Sequence, residues 1–329
     1  LPPPLHRRPP PCILLLRDPH HFFLLNHPLP DNFHFLKPWE SPLPFDDFLS
    51  SADSRSAEAI LTSGRAPVTA DMLRRLPRVR IVVNASVGLN HINLAECGRR
   101  GIAVAGAGDT KSEEVADLAV GLLIDVLRKV SASDRSVRHG LWSSEGEFAL
   151  GSKVLLGGKR VGIVGLGRIG LEVAKRVEAF GCAISYNSRE KKPHIPYPFY
   201  SNVRDLAANS DALVICCGLT EQTHHMVDRE VLLALGKEGV IVNIGRGPII
   251  DEKEMVQLLV RGELGGVGLD VFENEPDVPE ELLGLDNVVL SPHVADFTPE
   301  TISNLCDLIV GNLEAFFSNK PLLSPVLDE

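Results

Sequence analysis

Apolar residues along this chain fall into short runs separated by loops or by segments whose apolar positions recur at helical spacing. The first series comprises CILLL from Cys12, FHFL from Phe33, AEAILT from Ala57, RIVV from Arg80 and IAV from Ile102. This alternation predicts an α/β unit with a mainly parallel sheet. A long helix is expected next. Val115, Leu118, Leu122 and Val126 share one face, Thr110 and Glu113 form a candidate capping box, Glu113 and Glu114 suit the positive helix start, and Arg128 and Lys129 suit its end. A second series opens at Arg160 with VGIV, AISY, ALVI, GVIVN, GGVGLD and NVVL. Within it Asp251 and Glu254 make another capping box, and Thr298 followed by Pro299 starts the last helix, TISNLCDLIVGNLEAFF. The pattern predicts two α/β domains, each a doubly wound parallel sheet of Rossmann or flavodoxin type. Because the last helix lies beyond the second series, it is expected to return to the first domain. Residues 110–297 would then be a domain inserted between 1–109 and 298–329.

Composition narrows the possible partners. The 329 residues, 44% hydrophobic and 23% charged, can build two cores, and the net charge of -10 argues against nucleic acid or an anionic membrane as the main partner. Cys12, Cys97, Cys182, Cys216, Cys217 and Cys306 form no CxxC pair and mostly sit in apolar runs. They read as buried thiols of a reducing, cytoplasmic compartment, and no metal site is assigned. The stretch LAVGLLIDV is interrupted by Asp125 and is too short to span a bilayer. The opening LPPPLHRRPPP lacks an initiator Met and reads as a poorly ordered tail, so the natural N-terminus is expected upstream, together with any targeting signal, a plastid address included.

In RVGIVGLGRIGLEVAKRVEAFG, Gly165, Gly167 and Gly170 form GxGxxG directly after the apolar run 161–164, and a helical pattern follows as far as Gly181. A lone GxGxxG is a weak signal. Strand, turn and helix together are what a dinucleotide site requires: glycines let the backbone approach a pyrophosphate, and the helix N-terminus supplies amides for its charge. Leu166, Arg168 and Ile169 complete the candidate cofactor loop. The next strand runs into YNSREKK, where an acidic residue would bind the ribose hydroxyls of NAD; this chain has Ser188 and Arg189 instead. A carboxylate would repel a ribose phosphate, whereas Arg189 can grip it bidentately with Lys191 or Lys192 adding positive potential. NADPH is therefore expected over NADH, which remains the weaker alternative. An ordinary exposed loop is the competing reading, and it suits Glu190 and Lys192 best.

Three more patches, NIGRGPIID at 243–251, GLDVFENEP at 268–276 and LSPHV at 290–294, each follow an apolar run of the second series. Arg246, Glu275 and His293 are thus expected near the carboxyl ends of strands, where open α/β sheets bind ligands. Alone, a histidine after Ser-Pro reads as a loop residue and ENEPDVPEE as a solvated turn. Taken in order with VGIVGLGRIG, these motifs make the chain resemble the D-2-hydroxyacid dehydrogenase family along nearly its full length. It is most similar to the plant hydroxypyruvate and hydroxyphenylpyruvate reductases, whose SRxKK-type segment matches Ser188 to Lys192.

The resemblance implies a catalytic set on Arg246, Glu275 and His293 and a carboxylate-binding loop on Ser86, Val87 and Gly88. It further implies cofactor contacts from Cys217, Thr223, Ile244, Gly245, Arg246, Asp270 and His293, Trp142 near the partner subunit's substrate pocket, and a homodimer built around the long helix. The reaction so implied is NADPH-dependent reduction of a small 2-keto acid, hydroxypyruvate or glyoxylate, to the D-2-hydroxy acid. Arg246 would hold the substrate carboxylate or polarise the keto oxygen, and His293 would protonate that oxygen. Glu275 would stabilise the charged imidazole, and Asp270 would receive the nicotinamide amide. Hydroxyphenylpyruvate reductase, phosphoglycerate dehydrogenase and a nicotinamide-dependent sensor or corepressor are the alternatives. Departures from the family pattern fall at Asn90, Asn93, GAG at 106–108, Gly218 and the Val294-Ala295-Asp296-Phe297 run after His293. His224 and His225 read as surface residues.

Overall fold

The computed structural model describes residues 9–16, 30–63, 66–142 and 154–326. The chain divides into two compact units, 1–111 with 298–329, and 112–297. In the first unit, strands β1 (Cys12–Leu15), β2 (His34–Leu36), β3 (Ala59–Thr62), β4 (Ile81–Asn84) and β5 (Ala103–Ala105) form one parallel sheet in the order β2-β1-β3-β4-β5. Helices α1 (Phe45–Ser50), α2 (Ala70–Arg75) and α3 (Leu94–Arg100) belong to this unit. The second unit begins with α4 (Ser112–Arg128) and α5 (Val130–Arg138). It continues with β6 (Arg160–Val164), α6 (Arg168–Ala179), β7 (Ala183–Asn187), α7 (Val203–Ala208), β8 (Ala212–Ile215), α8 (Arg229–Leu235), β9 (Val240–Asn243), α9 (Glu252–Val260), β10 (Gly266–Leu269), α10 (Glu280–Leu283) and β11 (Val288–Leu290). Its six strands pair in parallel in the order β11-β10-β9-β8-β6-β7. The final helix, α11 (Pro299–Phe317), lies in the first unit, where Leu305, Ile309 and Leu313 share a core with Ile81, Val83 and Ala105.

Every apolar run read as a strand contains a strand, with ends that agree or shift by one or two residues. The reason is burial on both faces, which demands continuous apolar sequence instead of alternation. In the second unit one face of the sheet packs Val161, Ile163, Val214 and Val242 against Leu122, Leu123 and Val126 of α4 and Val173 and Val177 of α6. The other face packs Leu213, Ile215 and Ile241 against α7, α8 and α9 through Leu206, Leu232 and Met255.

Two helix boundaries differ in detail from the sequence reading. Helix α4 begins at Ser112, because Thr110 turns its hydroxyl back to donate to the Ala107 carbonyl at 2.7 Å. At α9, Asp251 accepts from the Glu254 N–H at 3.2 Å as expected, but the Glu254 carboxylate takes Arg229 at 2.8 Å as its partner, so only half of the capping box forms. The last helix starts as read, with Thr298 accepting from Thr301 N–H at 3.1 Å and Pro299 in the first turn. Among the described residues no helix is long and apolar enough to cross a membrane, and none of the six cysteines is in a disulfide.

The C-terminal segment is tied to α11 by one buried amide. Asn312 donates to the Leu308 carbonyl at 2.8 Å and to Ser324 Oγ at 3.0 Å, and accepts from the N–H groups of Leu323 at 3.0 Å and Ser324 at 3.2 Å. Asn312→Leu strands two main-chain donors, so we expect a stability loss of about 2–3 kcal/mol in denaturant unfolding.

Candidate active site

The second sheet changes winding direction between β6 and β8: the chain crosses from β6 to β7 on one side and then returns to add β8 on the other. Loops leaving the carboxyl ends of these two strands diverge and open the crevice in which such sheets bind ligands. The glycine fingerprint lies there. Gly165, at φ 93°, presses against the β8 loop so closely that a Cβ would sit 2.6 Å from Cys217 N, and a Cβ on Gly170 would sit 2.2 Å from the Gly165 carbonyl oxygen. Gly167 heads α6 with no side-chain cap, whereas Asn202, Asp228, Asp251 and Thr298 cap their own helices. Uncapped first-turn amides beside a side-chain-free turn fit a pyrophosphate. Leu166 is buried beneath the loop, Ile169 is half-buried and Arg168 is exposed. Burial pushes the Cys217 thiol up to about 11 and raises that of Cys216 further, so both present neutral sulfur.

YNSREKK leaves the sheet next to this crevice. The fully buried Tyr186 accepts the Lys192 N–H on its hydroxyl at 2.9 Å, and Asn187 donates to the Tyr200 carbonyl at 2.9 Å. The loop is therefore tethered at its base, with Arg189, Glu190 and Lys191 exposed beyond the tethers and Lys192 half-buried. Ser188 donates its hydroxyl to the Glu190 carbonyl at 2.6 Å, which leaves its oxygen lone pairs as acceptors. On the β8 loop, Thr223 Oγ1 closes a turn by donating to the Gly218 carbonyl at 2.8 Å and accepting from Thr220 N–H at 2.7 Å.

Arg246, Glu275 and His293 follow β9, β10 and β11 respectively. Asn243 ends β9 and shapes the first loop, accepting from Gly245 N–H at 3.0 Å and donating to the Arg246 carbonyl at 3.0 Å. Ile244 and Gly245 are buried. Gly247 has no room for a side chain, since a Cβ would lie 1.9 Å from the Phe272 carbonyl, and this contact presses the Arg246 loop against the Glu275 loop. Burial lowers the Arg246 guanidinium from its ordinary range, while the negative charges of Glu275 and Asp296 act in the opposite direction. It remains a cation.

Glu275 accepts from Phe272 N–H at 3.3 Å and holds His293 Nδ1 at 2.8 Å. With Nδ1–H committed to a carboxylate, Nε2 is the nitrogen left to exchange a proton. His293 is held at φ 57°, an uncommon left-handed backbone for a histidine, and the cause lies one residue on. Asp270, only 1% exposed, accepts Val294 N–H at 3.0 Å on one carboxylate oxygen and Ala295 N–H at 3.1 Å on the other. Asp270 thus clamps the histidine loop, a function that its sequence position did not disclose.

In the first unit the loop after β4 is organised in the same way. Asn84 donates to the Ser86 carbonyl at 2.8 Å and the Gly88 carbonyl at 3.0 Å, and accepts from Ser86 N–H at 3.2 Å. Val87 is exposed and Gly88 half-buried, and among the described residues their N–H groups have no acceptor. Trp142 is 74% exposed.

His225 corrects the sequence reading. His224 is exposed, but His225 is half-buried with Nε2 3.0 Å from Glu273 Oε1. Nothing local in the sequence signals this pair, because its members are 48 residues apart. The buried Glu252 was likewise missed; its carboxylate accepts Glu273 N–H at 3.1 Å.

Comparison with known proteins places these features in a family. Residues 120–295 match the model described as D-isomer specific 2-hydroxyacid dehydrogenase, NAD binding domain. The chain is 60% identical over 271 residues, 82% of its length and 83% of the relative's, to a glyoxylate/hydroxypyruvate reductase of Arabidopsis thaliana. It is 50% identical over 303 residues, 92% of its length and 95% of the relative's, to hydroxyphenylpyruvate reductase of Plectranthus scutellarioides. Among solved structures it is similar to the NADPH-dependent glyoxylate/hydroxypyruvate reductase of Sinorhizobium meliloti in complex with NADP and malonate, with a TM-score of 0.87 and 38% identity over 96% of this chain and 97% of the other.

Burial raises the Glu252 carboxyl above the ordinary carboxylate range, opposed by the bond from Glu273 N–H and reinforced by the Glu273 charge. A raised carboxyl pKa contributes stability below the unfolded-chain value, and that contribution is lost as pH rises through the folded-state value. Glu252→Gln keeps an acceptor without the charge, so its Tm should exceed the parent's near about pH 8 and the gap should close toward about pH 4.

Proposed function

This chain belongs to the D-isomer specific 2-hydroxyacid dehydrogenases, and from that premise we propose that it reduces a small 2-keto acid, hydroxypyruvate or glyoxylate, to the D-2-hydroxy acid with NADPH. The observation that carries the reading is His293 fixed through Nδ1 by Glu275 at 2.8 Å, on a loop adjoining the partly buried cation Arg246.

The glycine loop and the start of α6 hold the pyrophosphate, and Cys217, Thr223, Ile244 and Gly245 line the rest of the cofactor site. Arg189 grips the ribose phosphate, with Lys191 adding potential and Ser188 a short polar contact. When bound, NADPH supplies a hydride to the keto carbon. Arg246 binds the substrate carboxylate or the keto oxygen by charge-assisted hydrogen bonds. His293, protonated on both nitrogens, keeps Nδ1–H on Glu275 and delivers the Nε2 proton to the keto oxygen as negative charge builds there. Glu275 balances the imidazolium before transfer and keeps the ring in place after it. Asp270 holds the His293 loop with one main-chain N–H on each carboxylate oxygen, and the lone pairs that remain receive the nicotinamide amide. In the first unit, the Val87 and Gly88 amides offer an anion-binding pair. A homodimer in the cytoplasm, with Trp142 near the partner subunit's substrate pocket, completes the reading; the exposure of Trp142 and the cysteines' thiol form support it.

Steady-state kinetics with glyoxylate, hydroxypyruvate, hydroxyphenylpyruvate and phosphohydroxypyruvate, each with NADPH and NADH, test the proposal. The first two substrates with NADPH should give the highest kcat/KM; a chain inert on all four would be a binding protein instead. His293→Ala should lower kcat by about 100-fold or more while NADPH still quenches intrinsic fluorescence. Near-normal turnover would remove His293 from the mechanism. Arg189→Ala should weaken NADPH about tenfold or more and leave NADH nearly unchanged; equal losses would show that the loop does not read the phosphate.

A further inference from the structure

We propose that His225, outside the catalytic set, is a positioning residue that braces the Glu275 loop against the Arg246 loop through Glu273. The inference rests on the catalytic assignments above and adds a residue to which neither the motifs nor the comparisons assign a role.

Glu273 lies in the turn that carries Glu275, and the turn is fixed at several points. Its start is closed by Glu275's own carboxylate, which accepts Phe272 N–H at 3.3 Å. Its middle is held twice: Glu273 N–H donates to the buried Glu252 at 3.1 Å, and the Glu273 carboxylate accepts from His225 Nε2 at 3.0 Å. His225 is in turn fastened to the segment after Arg246. Its N–H donates to the Pro248 carbonyl at 2.8 Å, and two residues on Val227 exchanges hydrogen bonds with Ile249 and Asp251, both at 3.0 Å. One residue, through its backbone N–H and its side chain, therefore spans from the loop of Arg246 to the loop of the carboxylate that orients the catalytic histidine.

The backbone of His225 supports a specific requirement. It sits at φ 49°, an uncommon conformation for a residue with a Cβ, which persists where surrounding bonds over-determine it. Other titratable groups face it: Asp251 Oδ2 is 3.9 Å from Nδ1, and the ring of His224 stacks on it at 4.1 Å. With Nε2–H donating to Glu273, the bond holds whether Nδ1 is protonated or neutral, so the brace needs only one proton on the ring.

His225→Ala removes the donor, and Glu273→Ala removes the acceptor from the other side. His225→Gln restores an N–H at similar reach. In the full-length protein, His225→Ala and Glu273→Ala should each lower kcat for hydroxypyruvate about tenfold or more, with NADPH affinity unchanged and His225→Gln within about threefold of the parent. In a His293→Ala background the same replacements should reduce the residual turnover little, because the pair they position is gone. A purely structural role would give the same proportional loss in both backgrounds. A second readout requires no turnover and so separates this proposal from the choice of substrate. In histidine-selective ¹⁵N spectra, with the ring signals of His293 assigned by His293→Ala, the Nδ1–H tautomer should be the main neutral form in the parent. It should be depleted in His225→Ala and Glu273→Ala and recovered in His225→Gln. Unchanged His293 ring signals in both alanine variants, together with kcat within about twofold, would overturn the brace.

Discussion

Inside the second unit, the Asp270 carboxylate accepts the N–H groups of Val294 and Ala295, and those two bonds fix the backbone that carries His293. A buried carboxylate is tolerable only when its oxygens are well bonded, and a histidine at positive φ is tolerable only when the following chain is held. Each side of this arrangement meets a need of the other. Breaking those two bonds would leave a buried charge unpaired and would free His293 to relax toward the ordinary backbone region, away from Glu275. The geometry proposed for proton delivery depends on that exchange between strain and charge.

A related device recurs at three other strand ends that deliver candidate site loops. Asn84 ends β4, Asn187 ends β7 and Asn243 ends β9; each is buried and spends its side chain on the main chain of the loop ahead, whereas Asp270, after β10, reaches the loop that follows β11. A parallel sheet buried on both faces gives its strands no polar surroundings until they end, so a loop leaving it needs a local source of hydrogen bonds. A short amide at the strand terminus supplies them without a second element. The loops are irregular, but each is anchored at the residue where irregularity begins.

Much of this was legible in sequence because the signals were local. Apolar runs such as ALVI and GVIVN have the strand period of a doubly covered sheet, and GxGxxG is read from a window of a few residues. Arg246, Glu275 and His293 were recognisable through motif order, and the structure brings Glu275 and His293 into direct contact. What escaped was long-range or dependent on direction. Thr110 had the composition of a cap, but its hydroxyl turned back to Ala107. Asp270 was visible as a strand-end acid, yet its bonding to residues 24 and 25 positions later could not be read from its neighbours. His225 looked like half of an exposed pair because its partner, Glu273, is distant in sequence and near only once β9 and β10 lie side by side.

The tethers at the base of the YNSREKK loop separate two jobs that the segment performs. Tyr186 and Asn187 belong to the sheet and its core, and their bonds to Lys192 and Tyr200 define where the chain leaves and rejoins the fold. The exposed tip between those points bears little of the unit's packing. Its charge can therefore change by substitution while the framework persists, which makes the tip an exchangeable cassette. On the proposed phosphate grip, a dehydrogenase built this way can move between two nicotinamide pools of a cell in a few mutational steps, without passing through an unfolded ancestor.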